Sequence, residues 1–131
     1  MIVGFLMVSF VVQSQNIQAE DVCANGGGKI IIGHNGTIYC QSNRGMNWWT
    51  ALEWCQEQGK ELIRYPVDCK CVEEGCPVTA CSNLTNIGQG QTWTATPWGN
   101  GYAYYISLIS GHINGNGRDV KLTSNLHAVC K

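Results

Sequence analysis

Cysteine carries the densest chemistry in this chain, at positions 23, 40, 55, 69, 71, 76, 81 and 130. A thiolate can ligate zinc or attack a carbonyl, and two thiols can pair as a disulfide; each use needs different surroundings. Cys69, Cys71, Cys76 and Cys81 have the spacing C-x-C-x4-C-x4-C, not the two C-x2-C knuckles of a zinc site. An even cysteine count behind an apolar N-terminus reads as a disulfide framework made in an oxidising compartment. Reduced thiols or a metal cluster are the lesser reading, so neither a metal nor any other cofactor is expected. Cys69 and Cys71 are too close to pair easily with each other. That leaves 69–81 with 71–76, or 69–76 with 71–81; the nested pair is slightly favoured, and cysteine order alone does not choose.

Catalysis is not expected. His34, His112 and His127 are scattered, and none stands in a motif with a nucleophile. Cys–His chemistry needs a free thiolate, whereas every cysteine here has a potential disulfide partner. Eight Lys and Arg against nine Asp and Glu leave no basic surplus for a nucleic acid. Sparse charge and sixteen glycines suit a loop-rich exported domain.

Recognition chemistry is better represented. Trp98, Asn100, Tyr102, Tyr104, His112, Asn114, Asn116 and Arg118 gather in the second half of the chain. Flat aromatics, amides and arginine are the types that recognition surfaces favour. The competing reading is that Asn and Gly merely fill turns. Trp48 shares a helix face with Leu52 and belongs to the core, while Trp49 or Trp54 is the more exposed. Asn35-Gly36-Thr37 and Asn83-Leu84-Thr85 are N-glycosylation sequons, relevant only where the host glycosylates exported asparagines.

The elements that must position these residues follow from local pattern. Residues 29–33 and 37–40 are β-prone around His34-Asn35-Gly36, a strong hairpin signal, and a Cys23–Cys40 bridge would clamp it. Asn47 is a good N-cap for a helix of about 47–58, with Trp48, Leu52, Cys55 and Gly59 on one face and Gly59 as its stop. Leu62-Ile63 begins a return segment that Pro66 interrupts. Residues 69–81 and 82–90 read as loops. Strands follow at 91–96 and 102–109, the second with Ala103, Tyr105 and Ser107 on one face and Tyr104, Ile106 and Leu108 on the other. Segments 119–122 and 126–130 close the sheet.

Met1 to Val12 is almost wholly apolar, too short for the ~20 residues of a membrane span. It matches the apolar region of a secretory signal, with Ala19 as the cleavage residue, although no basic residue precedes it. Residues 1–19 are therefore expected to be a signal peptide or an N-terminal apolar anchor, and 22–131 one domain. Gly4-Phe5 weakly resembles a prepilin cleavage site, but Ser9 stands where that pattern wants Glu.

The hairpin, the helix pattern Trp54-Cys55-x-x-x-Gly59-x-x-Leu62 and the terminal Ala128-Val129-Cys130 resemble the C-type lectin-like fold. Trp93-Thr94-Ala95-Thr96 with Ala103-Tyr104-Tyr105-Ile106-Ser107-Leu108 resembles the short-form domains of bacterial secreted and adhesin-like proteins. The resemblance implies an α+β, disulfide-rich domain with one main helix packed on a small twisted antiparallel sheet, drawn mainly from 91–130. It also implies the pairs Cys23–Cys40 and Cys55–Cys130. The chain lacks the Glu-Pro-Asn or Gln-Pro-Asp loop and the Trp-Asn-Asp strand of calcium-dependent lectins. Thr96-Pro97-Trp98 places no carboxylate or amide beside its proline. Calcium takes six to eight oxygen ligands, so no calcium site is expected.

Two function classes follow. One is an exported, non-catalytic recognition or adhesin-like domain, secreted or at the cell surface, whose unknown ligand is a protein or glycan. It would bind without calcium through Trp98, Asn100, Tyr102, His112, Asn114, Asn116 and Arg118. The alternative is a structural cell-surface or minor pilin-like component. Neither involves nucleic acid, and membrane contact would come only from an uncleaved N-terminal segment.

Overall fold

The computed structural model describes residues 21–65, 67–68, 82–97, 99–109 and 124–131. The protein is α+β. Its elements are β1 (Gly28–Ile32), β2 (Ile38–Ser42), α1 (Trp48–Glu57), a 3-10 turn (Ser82–Leu84), β3 (Gln91–Pro97), β4 (Ala103–Ser107) and β5 (Val129–Cys130).

The expected hairpin forms. β1 and β2 pair antiparallel from Gly28↔Ser42 to Ile32↔Ile38. At the tip Gly33 N–H donates to Thr37 O at 2.8 Å, Thr37 N–H donates to Asn35 Oδ1 at 2.9 Å, and Gly36 takes φ +87°. Only glycine enters that left-handed region without a Cβ penalty, so Gly36 makes the turn possible.

α1 starts where Asn47 predicts. The Asn47 side chain accepts from Thr50 N–H at 2.9 Å, satisfying one of the free amides of the first turn. It stops at Gly59, φ +69°, where Lys60 N–H donates to Cys55 O and Gly59 N–H to Gln56 O. That paired arrangement is the Schellman C-cap. Ala51 and Cys55 are buried, with Trp48 and Leu52 packed beside them.

The sheet arrangement departs from expectation. The larger sheet comes from the N-terminal hairpin, in the order β1–β2–β5, while β3 and β4 form a separate two-stranded sheet. β5 pairs with β2 through Cys40↔Cys130 and Gln41↔Val129. On its other side Leu62 bridges Cys130, and Ile63 N–H donates to Val129 O. Both edges of β5 are thus occupied, and β3 and β4 pair with each other instead. The connection between the sheets is narrower, a parallel bridge of Thr92 to His127 just before β5. The expected strand at 119–122 lies outside the described residues.

β4 separates two cores by its alternation. Ala103 and Tyr105 join a cluster with Trp93, Met46 and the four bonded cysteines, whereas Ile106 and Leu108 join Ile31, Tyr39, Ile63, Leu84 and Val129. Trp93 is fully buried, and its indole N–H donates to Met46 O at 2.8 Å. Burial of a tryptophan side chain stabilises by roughly 4–6 kcal/mol before entropy losses, provided its N–H finds an acceptor as here.

Two disulfides brace this arrangement. Cys23–Cys40 has a Cα separation of 5.8 Å, and Cys55–Cys130 one of 5.5 Å. Both fall within the range that a bridge tolerates. They fit an oxidising compartment. No described helix is long and apolar enough to cross a membrane. Cys69, Cys71, Cys76 and Cys81, and the N-terminal segment 1–19, lie outside the described residues.

Candidate functional site

Of the residues singled out for ligand contact, the described structure contains two. Asn100 is exposed in the turn between β3 and β4, flanked by Gly99 (φ +64°) and Gly101 (φ +85°). Tyr102 is half-buried at the entry to β4. Trp98, His112, Asn114, Asn116 and Arg118 lie outside the described residues. Nearby, Tyr104 is half-buried with its ring centroid 5.0 Å from that of Tyr65. Trp49 is the exposed member of the helix tryptophans, at 53%. Trp48 and Trp54 are half-buried and donate to Thr94 O and Gly26 O.

The site that the tertiary structure assembles lies elsewhere. A groove of about 600 Å³ runs along residues 125–127 and is lined by Gly90, Gln91, Ser107, Ile109, Asn125 and His127, among others. Its size is that of a small-molecule site. Gln91 and Ser107 face each other as a cross-strand pair of β3 and β4. Residues 125–127 line it as well. Leu126 exchanges two backbone hydrogen bonds with Met46, His127 N–H donates to Gln91 O, and Trp93 N–H donates to His127 O. Two distant parts of the chain, Met46 and β3, therefore hold this segment.

His127 itself is fixed by its side chain. Nδ1 lies 2.8 Å from Ser42 O. A carbonyl can only accept, so Nδ1 carries the proton. Ser42 is itself held, because its N–H donates to Ala128 O, its Oγ accepts from Ala128 N–H and its hydroxyl donates to Arg44 O. Gly90 lies across the ring edge: a Cβ there would stand 3.4 Å from His127 Cδ2 and 3.7 Å from Nε2, and its φ is +69°. Glycine here serves the backbone turn, which needs the left-handed conformation.

Sequence reasoning set His127 aside as one scattered histidine. The available signal was the expected pairing of residues 91–96 with 102–109 next to the Gly88-Gln89-Gly90 loop, which places Gln91 and Ser107 together. Nothing local placed residue 127 beside them. Ile109 and Asn125 line the groove and flank segment 110–123, which carries His112, Asn114, Asn116 and Arg118.

Two smaller depressions are chemically different. One, of about 500 Å³, is lined by Lys60, Glu61, Arg64, Asp68 and Lys131 among others. Its charges are largely paired, Arg64 to Glu61 at 3.2 Å and Lys131 to Asp68 at 3.0 Å. The hydrogen bond that Lys131 donates to Asp68, and the negative charge of that carboxylate, hold the Lys131 ammonium above its ordinary pKa. The other, of about 340 Å³, is lined by Asn25, Asn43, Arg44 and Trp54 among others. Among the described residues no cluster of three or more His, Cys, Asp or Glu is arranged to hold a metal ion.

No protein-family model matches this chain, and no curated protein or solved structure is significantly similar to it.

Proposed function

We propose that this protein is an exported, non-catalytic recognition domain of C-type lectin-like architecture, binding a protein or glycan ligand without calcium. The observation that carries the reading is the groove along residues 125–127. It is a built recess with a locked histidine, on a scaffold closed by two disulfides. Its rim residues Ile109 and Asn125 flank the segment that bears the recognition-type side chains His112, Asn114, Asn116 and Arg118. The architecture is supported by the helix cysteine bonded to the terminal-strand cysteine and by the separate disulfide of the hairpin.

Glycan and protein arrays, probed with and without a chelator, test this reading. Saturable binding that survives chelation is the expected result. Binding abolished by chelator overturns the calcium-free mechanism. No binding to any probe, together with assembly of the protein into a surface structure, would favour the structural alternative. Binding unaffected by combined Trp98→Ala and Arg118→Ala would move the contact surface away from those residues.

A further inference from the structure

The two disulfides meet at one point of the larger sheet. Cys40 of β2 and Cys130 of β5 are directly opposed partners in the antiparallel pair. Opposed residues of such a pair stand about 4.5–5.5 Å apart at Cα and project from the same face. A bridge tolerates Cα separations of about 4.4–6.8 Å, so the backbone already holds Cys40 and Cys130 within bonding reach of each other. Both are fully buried, and they share one core cluster with their present partners, Cys23 and Cys55.

Each present bond ties the sheet to a helical piece. Cys23 lies in the helical turn at 21–25 and is bonded to β2, whereas Cys55 lies in α1 and is bonded to β5. The two pieces also touch, because the Trp54 indole N–H of α1 donates to Gly26 O at 2.7 Å. A Cys40–Cys130 bond would instead staple β2 to β5, leaving both helical pieces without these ties to the sheet. β2 and β5 are already paired, so the alternative bond needs no new strand pairing. The Cys23 side is the easier to open. Its neighbours Asp21, Val22, Ala24 and Asn25 are exposed, and a single helical turn is a unit of low stability. Cys55, in contrast, sits in a ten-residue helix capped at both ends, and Cys130 in a strand bonded on both edges.

We propose that the paired disulfides form a redox-sensitive release device, in which a dithiol reductant that opens Cys23–Cys40 passes the bond to Cys40–Cys130 and frees α1. A thiolate of the reductant attacks Cys23 Sγ, forming a mixed disulfide there and expelling the Cys40 thiolate. Cys40 then attacks Cys130 Sγ. The Cys40–Cys130 bond forms, the Cys55–Cys130 bond breaks, and Cys55 leaves as a thiolate. The second thiolate of the reductant attacks the reductant sulfur held at Cys23, closing the oxidised reductant and releasing Cys23. One dithiol is oxidised, one protein bridge replaces two, and the two protons that the dithiol gives up end on Cys23 and Cys55. The device is independent of which ligand the protein binds.

The test is limited reduction of the folded full chain with dithiothreitol, followed by alkylation and tryptic mapping. Lys29, Arg44, Lys60 and Lys121 place Cys23, Cys40, Cys55 and Cys130 on separate peptides. The first product to lose a bond among these four is expected to join the Cys40 and Cys130 peptides, with Cys23 and Cys55 alkylated. In that product amide protection over residues 48–57 should fall at least about tenfold. A second arm uses Cys23→Ala combined with Cys55→Ala, in which Cys40 and Cys130 are expected to bond to each other on air oxidation. Where that variant does not fold, the wild-type map decides alone. A first product that keeps either native bond overturns the proposal, and so does full reduction of the four with no bridged intermediate. A bond from Cys40 or Cys130 to Cys69, Cys71, Cys76 or Cys81 overturns it too, as do free Cys40 and Cys130 thiols in the folded variant. Unchanged protection over 48–57 in the exchanged form overturns the release of α1.

Discussion

Asn83 should be among the most costly polar residues to replace. It is 1% exposed and sits in the 3-10 turn far from the hairpin in sequence. Its Oδ1 accepts from Asn35 N–H at 2.8 Å, its Nδ2 donates to Tyr39 OH at 2.8 Å, and its backbone O accepts from His34 N–H at 2.9 Å. One side chain thus holds the hairpin tip against the second core. Asn83→Ala removes two hydrogen bonds and strands two polar groups in poorly solvated places. A neutral hydrogen bond contributes about 1 kcal/mol net, and a stranded buried group costs about 1–3 kcal/mol. We therefore expect a loss of about 2–4 kcal/mol, a large fraction of a typical domain's stability. Urea unfolding of Asn83→Ala, Tyr39→Phe and the double variant should give a coupling energy of about 1 kcal/mol. Gly33 supplies an internal control. A Cβ at residue 33 would lie 2.7 Å from Asn83 Oδ1, so Gly33→Ala should cost clearly more in the wild type than beside Asn83→Ala. A loss below about 0.5 kcal/mol, the size of an ordinary surface change, would refute the bracket role. So would an equal Gly33→Ala cost in both backgrounds.

The disulfides should rank by loop length. Sequence separations of 75 for Cys55–Cys130 and 17 for Cys23–Cys40 correspond to about 4.5 and about 3 kcal/mol in the chain-entropy model, so paired Cys→Ala variants with equal unfolding midpoints would contradict it. Burial pushes the Tyr39 phenol above its ordinary value of 10.0. Below pH 10 the phenol is neutral in both folded and unfolded chains; as pH rises from there through the raised folded value, only the unfolded chain ionises, so stability falls. Tyr39→Phe should flatten that alkaline decline, and an unchanged slope would assign it to other groups. In a host that glycosylates exported asparagines, folded protein should carry glycan at exposed Asn35 and none at Asn83, whose Nδ2 is buried and donating to Tyr39. Peptide mapping that finds folded protein with Asn83 occupied would disprove this.

Local chemistry was legible in the sequence because its causes lie within a few residues. The Asn47 cap, the Gly59 stop and the turn at Gly36 each depend on a side chain acting on its own neighbouring backbone. The alternation of Ala103 to Leu108 was legible too, and both faces are buried in different cores. Tertiary structure decided the rest. The expectation of a sheet drawn mainly from 91–130 failed because strand pattern does not specify which ladder edge a strand occupies. β5 lies between β2 and the segment around Leu62, both distant in the chain. Asn83, read as part of a glycosylation sequon, is a buried bracket because Asn35 and Tyr39 fold onto it. His127, one of three scattered histidines, has its ring fixed because Nδ1 meets Ser42 O, 85 residues away, in a hydrogen bond. Periodicity and capping report forces between chain neighbours. Hydrogen-bond partners that meet only after the chain closes leave no periodic trace, and in this protein they build the groove.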